Sequence, residues 1–321
     1  MEALGKFNLT TENTTLLRTG AFTDKACYNV DSRFFATGDF LEYYIANLIF
    51  NIILAIVTTL ENLVILIAIW RKPTLQVPSN ILLFFLALSD LGVGLFAQPF
   101  IVVYTAAKLQ GFISMACVSL QVAAVLSTYL CGITLLSITA VSIDRYLALY
   151  LHLRYKQLVT NKRVIKAVVS TWLSAGLALV PWIWYPKVIS NITVAVGLGC
   201  IFVTTYCFCR IYFILRHHQR QIFLQSETER SFRTPNRTLT SKRYKLSVLG
   251  MFTVYILLLL FYIPYICIAV VIVVQGTTIS NRLLFELMRT VVSANSAINP
   301  LIYCWRLRDI REAVLDLFPW F

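Results

Sequence analysis

The chain has 321 residues, 58% of them hydrophobic and only 13% charged, with a formal net charge of +13. So few charges cannot cover the apolar surface of a soluble globule of this length, which excludes that class. The basic excess does not mark a nucleic-acid partner either, because the basic residues are dispersed over short segments between apolar runs instead of forming one patch or stripe.

Residues 1–41 read as a polar extracellular tail that carries acids such as Asp24, Asp31 and Asp39. The sequons Asn8-Leu9-Thr10 and Asn13-Thr14-Thr15 predict glycosylation at Asn8 and Asn13. No cleavable signal peptide stands at Met1, so the first membrane span is expected to direct insertion.

Seven apolar runs follow, near 42–70, 79–105, 113–147, 164–185, 190–216, 245–274 and 283–304. A bilayer core about 30 Å thick takes roughly 20 apolar residues of helix, and each run is long enough. The predicted fold class is therefore all-α: a seven-transmembrane helix bundle, one domain over 42–304. In 305–321, Trp305, Ile310, Val314, Leu317 and Phe318 alternate with Arg306, Arg308, Asp309, Arg311 and Glu312. That spacing predicts a short amphipathic helix on the inner leaflet, with membrane lipids as partners.

Charge placement gives the orientation. Arg71, Lys72, Arg145, Arg154, Lys156, Lys162, Arg163, Lys166, Arg306, Arg308, Arg311 and the basic 216–244 segment fall on one side. The other side carries little beyond Lys108, Lys187 and Arg282. Basic residues stay cytoplasmic, so the chain is expected to be a multi-pass plasma-membrane protein with its N-terminus outside. Of eight cysteines, most lie inside spans, while Cys27 and Cys117 lie on the outer side. An oxidising exterior permits a Cys27–Cys117 disulfide, but distance cannot be read from sequence and the pairing stays open.

Polar residues inside spans are functional candidates, because lipid makes them costly. Glu61-Asn62 stands in the first run; Asn62 can bond neighbouring backbone or Asp90. Asp90 in the second run needs a cation or a polar cage, and Thr134, Asn295, Ser296 and Asn299 can supply oxygens. A sodium ion on Asp90 and a water-filled network without an ion both satisfy that need. Asp144-Arg145-Tyr146 ends the third run; Asp144 is expected to hold Arg145 locally, and a released arginine could meet a cytosolic partner. Asn299-Pro300-Leu301-Ile302-Tyr303 ends the seventh, where Pro300 kinks the helix and Tyr303 nears the inner face. Pro264 does the same in the sixth.

The motifs around Asn62, Asp90, Arg145, Trp172, Pro264 and Pro300 resemble the rhodopsin-like (class A) G-protein-coupled receptors, over about residues 42–318. The resemblance implies an extracellular ligand, outward movement of the sixth helix and nucleotide exchange on a heterotrimeric G protein. It also implies that Leu153 plugs into the G protein and that Asp90, Thr134, Asn295 and Asn299 form an allosteric sodium pocket; no other cofactor is expected. Leu60-Glu61-Asn62 looks like the melanocortin, lysophospholipid, cannabinoid and adenosine cluster, and a short outer loop near 186–191, without a cysteine, and a fifth helix without proline agree with its melanocortin side. The acids that bind peptide and calcium in melanocortin receptors are replaced by Phe100, Leu120 and Ala124, and the aminergic acid by Ser127, so the receptor is divergent. Tyr262 replaces the usual tryptophan, Leu135 and Leu258 replace the transmission residues, and Tyr244 stands where an acid often locks Arg145. Raised basal signalling is the expectation.

Phe100, Tyr104, Ser127, Tyr262, Tyr265 and Arg289 are the candidate ligand pocket, suited to a lipid or a small apolar or anionic molecule. Glu286 and Arg289 share a helical face, and either neutralise each other or leave Arg289 to an anion. The rival class is an ion- or proton-translocating transporter using Asp90 and Glu61, for which paired broken helices and internal symmetry are missing. An enzyme is not expected: no H-E-x-x-H spacing occurs, and His152, His217 and His218 all fall on the inner side.

Overall fold

A computed structural model describes residues 40–151, 154–228, 235–276 and 278–317. The expectations for Asn8, Asn13, Cys27 and Leu153, and for the side chain of Tyr244, lie outside the described residues. The described residues form helices α1 (Leu41–Arg71), α2 (Pro78–Leu109), α3 (Ile113–Leu151), α4 (Asn161–Leu179), α5 (Pro186–Thr228), α6 (Pro235–Gln275), α7 (Ile279–Arg306) and α8 (Arg308–Leu315). A helical turn, Tyr155–Leu158, links α3 to α4.

Six helices, α1 to α6, are long and apolar enough to cross a membrane. The seventh is too polar for that: it carries Arg282, Glu286, Arg289, Asn295 and Asn299. Glu286, Arg289, Asn295 and Asn299 are buried, so α7 is held by the other helices and not by lipid. The outer faces show the reverse pattern. Trp70 is 73% exposed, Phe202 73% and Leu177 72%, which is tolerable only where hydrocarbon covers them. An apolar cluster in the interior includes Leu86 of α2, Leu135 of α3, Cys200 of α5, Leu258 of α6 and Tyr303 of α7. Leu135 and Leu258, the replaced transmission residues, are both buried in it.

Local chemistry sets the helix ends. Gly111 (φ 77°) and Gly276 (φ 83°) take the left-handed conformation that ends α2 and α6. Thr278 caps α7 by accepting a hydrogen bond from the Asn281 backbone at 3.2 Å. The connection before α5 is shorter than expected, because α5 already begins at Pro186. Within α2 a π-helical turn spans Val93–Ala97, just ahead of Pro99. A proline ring crowds the carbonyl four residues back, and the wider turn relieves it. At Gly94 this turn presses on α1: a Cβ there would stand 2.6 Å from Thr59 Oγ1 and 3.0 Å from the Thr59 backbone nitrogen.

α8 buries Ile310 and Ala313, and Ala313 packs with Ala68 and Leu75. An ion pair joins Lys72 to Asp316. On the exposed side, the Arg308 guanidinium donates to Glu312 at 2.6 Å and holds that carboxyl below its ordinary range.

Candidate functional site

Three polar clusters lie along the bundle: at the end that carries Asp144-Arg145-Tyr146, labelled inner, in the middle, and at the opposite end, labelled outer. At the inner end the Asp144 carboxylate accepts hydrogen bonds from Ser79 Oγ (2.8 Å) and from the Tyr155 hydroxyl (2.6 Å). The expected local hold of Asp144 on Arg145 is therefore corrected: the carboxylate ties α3 to the start of α2 and to the turn before α4. Successive residues of a helix point in different directions, which gives Asp144 those partners and aims Arg145 elsewhere. Among the described residues the half-buried Arg145 guanidinium has no hydrogen bond or ion pair. Tyr146 stacks on Tyr150 with ring centroids 5.7 Å apart. Burial, and then the bond to Asp144, raise the Tyr155 phenol above its ordinary value. Tyr303 is buried, and its hydroxyl is without a partner among the described residues.

In the middle, Asp90 is fully buried. Its Oδ1 accepts from Thr134 (2.9 Å) and Ser296 (2.8 Å), and its Oδ2 accepts from Asn299 (2.8 Å). Ser89 extends the cluster to Thr134 at 3.1 Å. One carboxylate thus ties α2 to α3 and α7. Asn62 joins through backbone, donating to the Ser296 carbonyl at 3.0 Å. Asn295 makes no hydrogen bond to Asp90 among the described residues, where its Nδ2 is buried without a partner. Glu61 Oε2 is likewise buried and unpartnered among the described residues. Pro300 lies within α7, beside Asn299.

The outer end departs furthest from the sequence reading. Lys108 and Arg282, counted as loop charges, lie inside α2 and α7. Lys108 is 2% exposed. Glu286 pairs not with Arg289 but with Arg282, whose Nε approaches at 3.1 Å, because the i, i+4 spacing brings those two together. The Tyr104 hydroxyl donates to the same carboxylate oxygen at 2.7 Å. Lys108 Nζ donates to the Tyr44 hydroxyl at 2.5 Å and lies 4.0 Å from that ring's centre. Arg289, 8% exposed, has an Nε unpartnered among the described residues and stands 5.9 Å from the Tyr104 ring centre.

The candidate pocket residues are divided among several places. Phe100 lines a groove of 860 Å³ with Val103, Phe112, Met115 and Val118, at the outer ends of α2 and α3. Tyr104 and Arg289 join the outer cluster. Ser127 is buried, with its hydroxyl unpartnered among the described residues. The Tyr262 hydroxyl donates to the Cys131 carbonyl at 3.3 Å, tying α6 to α3. Tyr265 lies against Phe285, with ring centroids 5.3 Å apart. Cys117 is disulfide-bonded, and Cys131, Cys200, Cys207, Cys209, Cys267 and Cys304 are free thiols.

Residues 61–192 match the 7 transmembrane receptor (rhodopsin family). The histamine H2 receptor of Cavia porcellus is 27% identical over 304 residues, which cover 87% of this chain and 81% of that receptor. The 5-hydroxytryptamine receptor 6 of Mus musculus is 26% identical over 308 residues, covering 82% and 68%. The adenosine receptor A2b of Homo sapiens is 33% identical over 142 residues; that match covers 43% of this chain and 40% of the receptor. These matches lend the transporter reading no support. With a helical bundle built on Asn62, Asp90, Arg145 and Pro300, these matches support a rhodopsin-like (class A) G-protein-coupled receptor, a multi-pass membrane receptor as its relatives are.

Proposed function

We propose that this receptor sits in the plasma membrane with its glycosylated tail outside, receives a small, largely apolar ligand at the outer end, and activates heterotrimeric G proteins at the inner end. Cys27 is the partner we assign to the Cys117 disulfide, and Asp90 the residue that would take an allosteric sodium ion. The observation that carries the coupling reading is the division of labour in Asp144-Arg145. The carboxylate is occupied by Ser79 and Tyr155, while the Arg145 guanidinium is uncommitted among the described residues. An arginine without an internal partner can hydrogen-bond a segment that enters from the cytosol. Basal signalling is raised in this reading, supported by Tyr244, which offers no carboxylate where an acid often locks Arg145.

Two of the relatives are named for amines. Ser127 offers no carboxylate to hold an amine, so an amine ligand does not transfer to this chain. The test is a panel of G-protein dissociation sensors in cells expressing the receptor, alongside an ion-flux measurement. Signal above empty vector for at least one G-protein class, abolished by Arg145→Ala, is expected, with ion flux unchanged. Signals equal to vector for every class would end this reading.

A further inference from the structure

We propose that the side-chain cluster at the outer ends of α1, α2 and α7 is an oxyanion-binding subsite, built by Arg289 and Lys108 for the carboxylate or phosphate group of the ligand. The inference rests on reading the chain as a ligand-binding receptor and names the chemistry of that ligand's polar end.

Lys108, Arg282 and Arg289 all act on Glu286, the carboxylate of this cluster among the described residues. Glu42, the nearby acid of α1, is exposed. Three cations thus share one buried carboxylate. Glu286 is committed through Oε1 to the Tyr104 hydroxyl and to Arg282. Lys108 has a neutral oxygen, that of Tyr44, as its hydrogen-bond acceptor, and two aromatic faces, Tyr44 at 4.0 Å and Tyr104 at 5.8 Å. Ring faces offset part of the cost of burying an ammonium but do not neutralise it. Arg289 has less among the described residues: a ring centre at 5.9 Å and a buried, unpartnered Nε.

A buried guanidinium lacking an acceptor is expensive, and such groups persist where function requires them. What it lacks is an oxyanion. The planar N–H fork of arginine fits a carboxylate or phosphate edge, and a lysine ammonium adds a point charge. The cluster joins three helices, so an anion drawn into it would pull α1, α2 and α7 together. From there α7 runs inward through Thr290, bonded by Asn51 of α1 at 3.2 Å, to Ser296 and Asn299 on Asp90. Occupancy at the outer end therefore bears on the helix that carries the middle cluster.

The test uses purified full-length receptor in neutral nanodiscs and reads its thermal midpoint. The probes are dodecanoate, dodecyl phosphate, dodecanol and dodecyltrimethylammonium, with acetate and inorganic phosphate as tail-free anions. Saturating anionic amphiphile is expected to raise the midpoint by about 3–8 °C, with the alcohol and the ammonium inert. Equal shifts from acetate or phosphate would assign the site to a free anion, and shifts confined to the tailed anions to a headgroup; either supports an oxyanion site. Arg289→Gln should weaken the anion effect about tenfold or more, with partial rescue in Arg289→Lys. The head-group series needs no variant, so a misfolded Arg289→Gln would not protect the idea. If dodecanol stabilised as well as dodecanoate, or no anion shifted the wild-type midpoint, the subsite would be refuted. Because no G protein is present, that failure is separate from a failure of coupling.

Discussion

Replacing Asp90 by alanine removes one acceptor from three donors on two other helices: Thr134, Ser296 and Asn299. The loss can be bounded. Interhelical hydrogen bonds in membrane proteins average about 0.6 kcal/mol, so three contribute about 2 kcal/mol at the low end. A charged acceptor in a protein interior is worth about 1.5 kcal/mol per bond or more, which gives about 4–5 kcal/mol at the high end. For a chain of this size each kcal/mol moves the unfolding midpoint by about 2 °C or slightly more, so Asp90→Ala should melt roughly 5–10 °C below wild type. Asp90→Asn should lose less than half of that. Its amide keeps an oxygen for Thr134 and Ser296, and a flipped Asn299 can offer its own oxygen to the new NH2 group. Thermal unfolding in nanodiscs reads both. The paired variant Asp90→Ala/Ser296→Ala should fall short of the sum of its single losses, because the two residues share a bond. An Asp90→Ala midpoint within about 1 °C of wild type would mean that the cluster does not hold α2, α3 and α7 together.

Other consequences follow at separate sites. Tyr155→Phe deletes the 2.6 Å bond to Asp144 and should change receptor-driven nucleotide exchange by up to about tenfold, upward if the latch belongs to the resting state, since 1.4 kcal/mol is a factor of ten; unchanged exchange would show the latch to be idle. Gly94→Ala should cost about 1–3 kcal/mol, since its new carbon meets α1 backbone, whereas Gly132→Ala, with open space beside it, should be neutral or stabilising by up to about 1 kcal/mol. Both are read by the same thermal midpoint. Asp316→Asn should leave the midpoint within about 1 °C, because the Lys72–Asp316 pair is solvent-exposed and such pairs contribute little.

Much of the bundle was legible because a bilayer imposes a strict length and composition on each span. The boundaries of α7 show the limit: polarity blurred its start, which Thr278 sets at Ile279 by capping. The Asp90 cluster was legible because an acid in an apolar run must find partners, and Ser296 and Asn299 lie within one turn of each other on α7. Asn295 misled because helical spacing narrows the facing side without fixing which amide reaches the carboxylate. The latch on Asp144 was missed, since Ser79 and Tyr155 carry no signal of their own and Ser79 is 65 positions away. The outer cluster was missed for a different reason. Lys108 and Arg282 stand just beyond the apolar runs, where hydropathy places them outside the spans, while Tyr104 and Glu286 meet across 182 positions. The available hint was Tyr104 four residues before Lys108, which places both on one face of α2. The π turn had a hint too, in Gly92, Gly94 and Pro99 within one short stretch of α2.

The most direct experiment uses purified components: receptor in nanodiscs, shown folded by its melting transition, mixed with purified heterotrimeric G proteins of each class while nucleotide exchange is followed. Exchange faster than with receptor-free nanodiscs for at least one class, returning to the receptor-free rate with Arg145→Ala, is the expected outcome. A folded receptor that accelerates no class, or an Arg145→Ala variant as active as wild type, would show that the inner end of this bundle does not act as described.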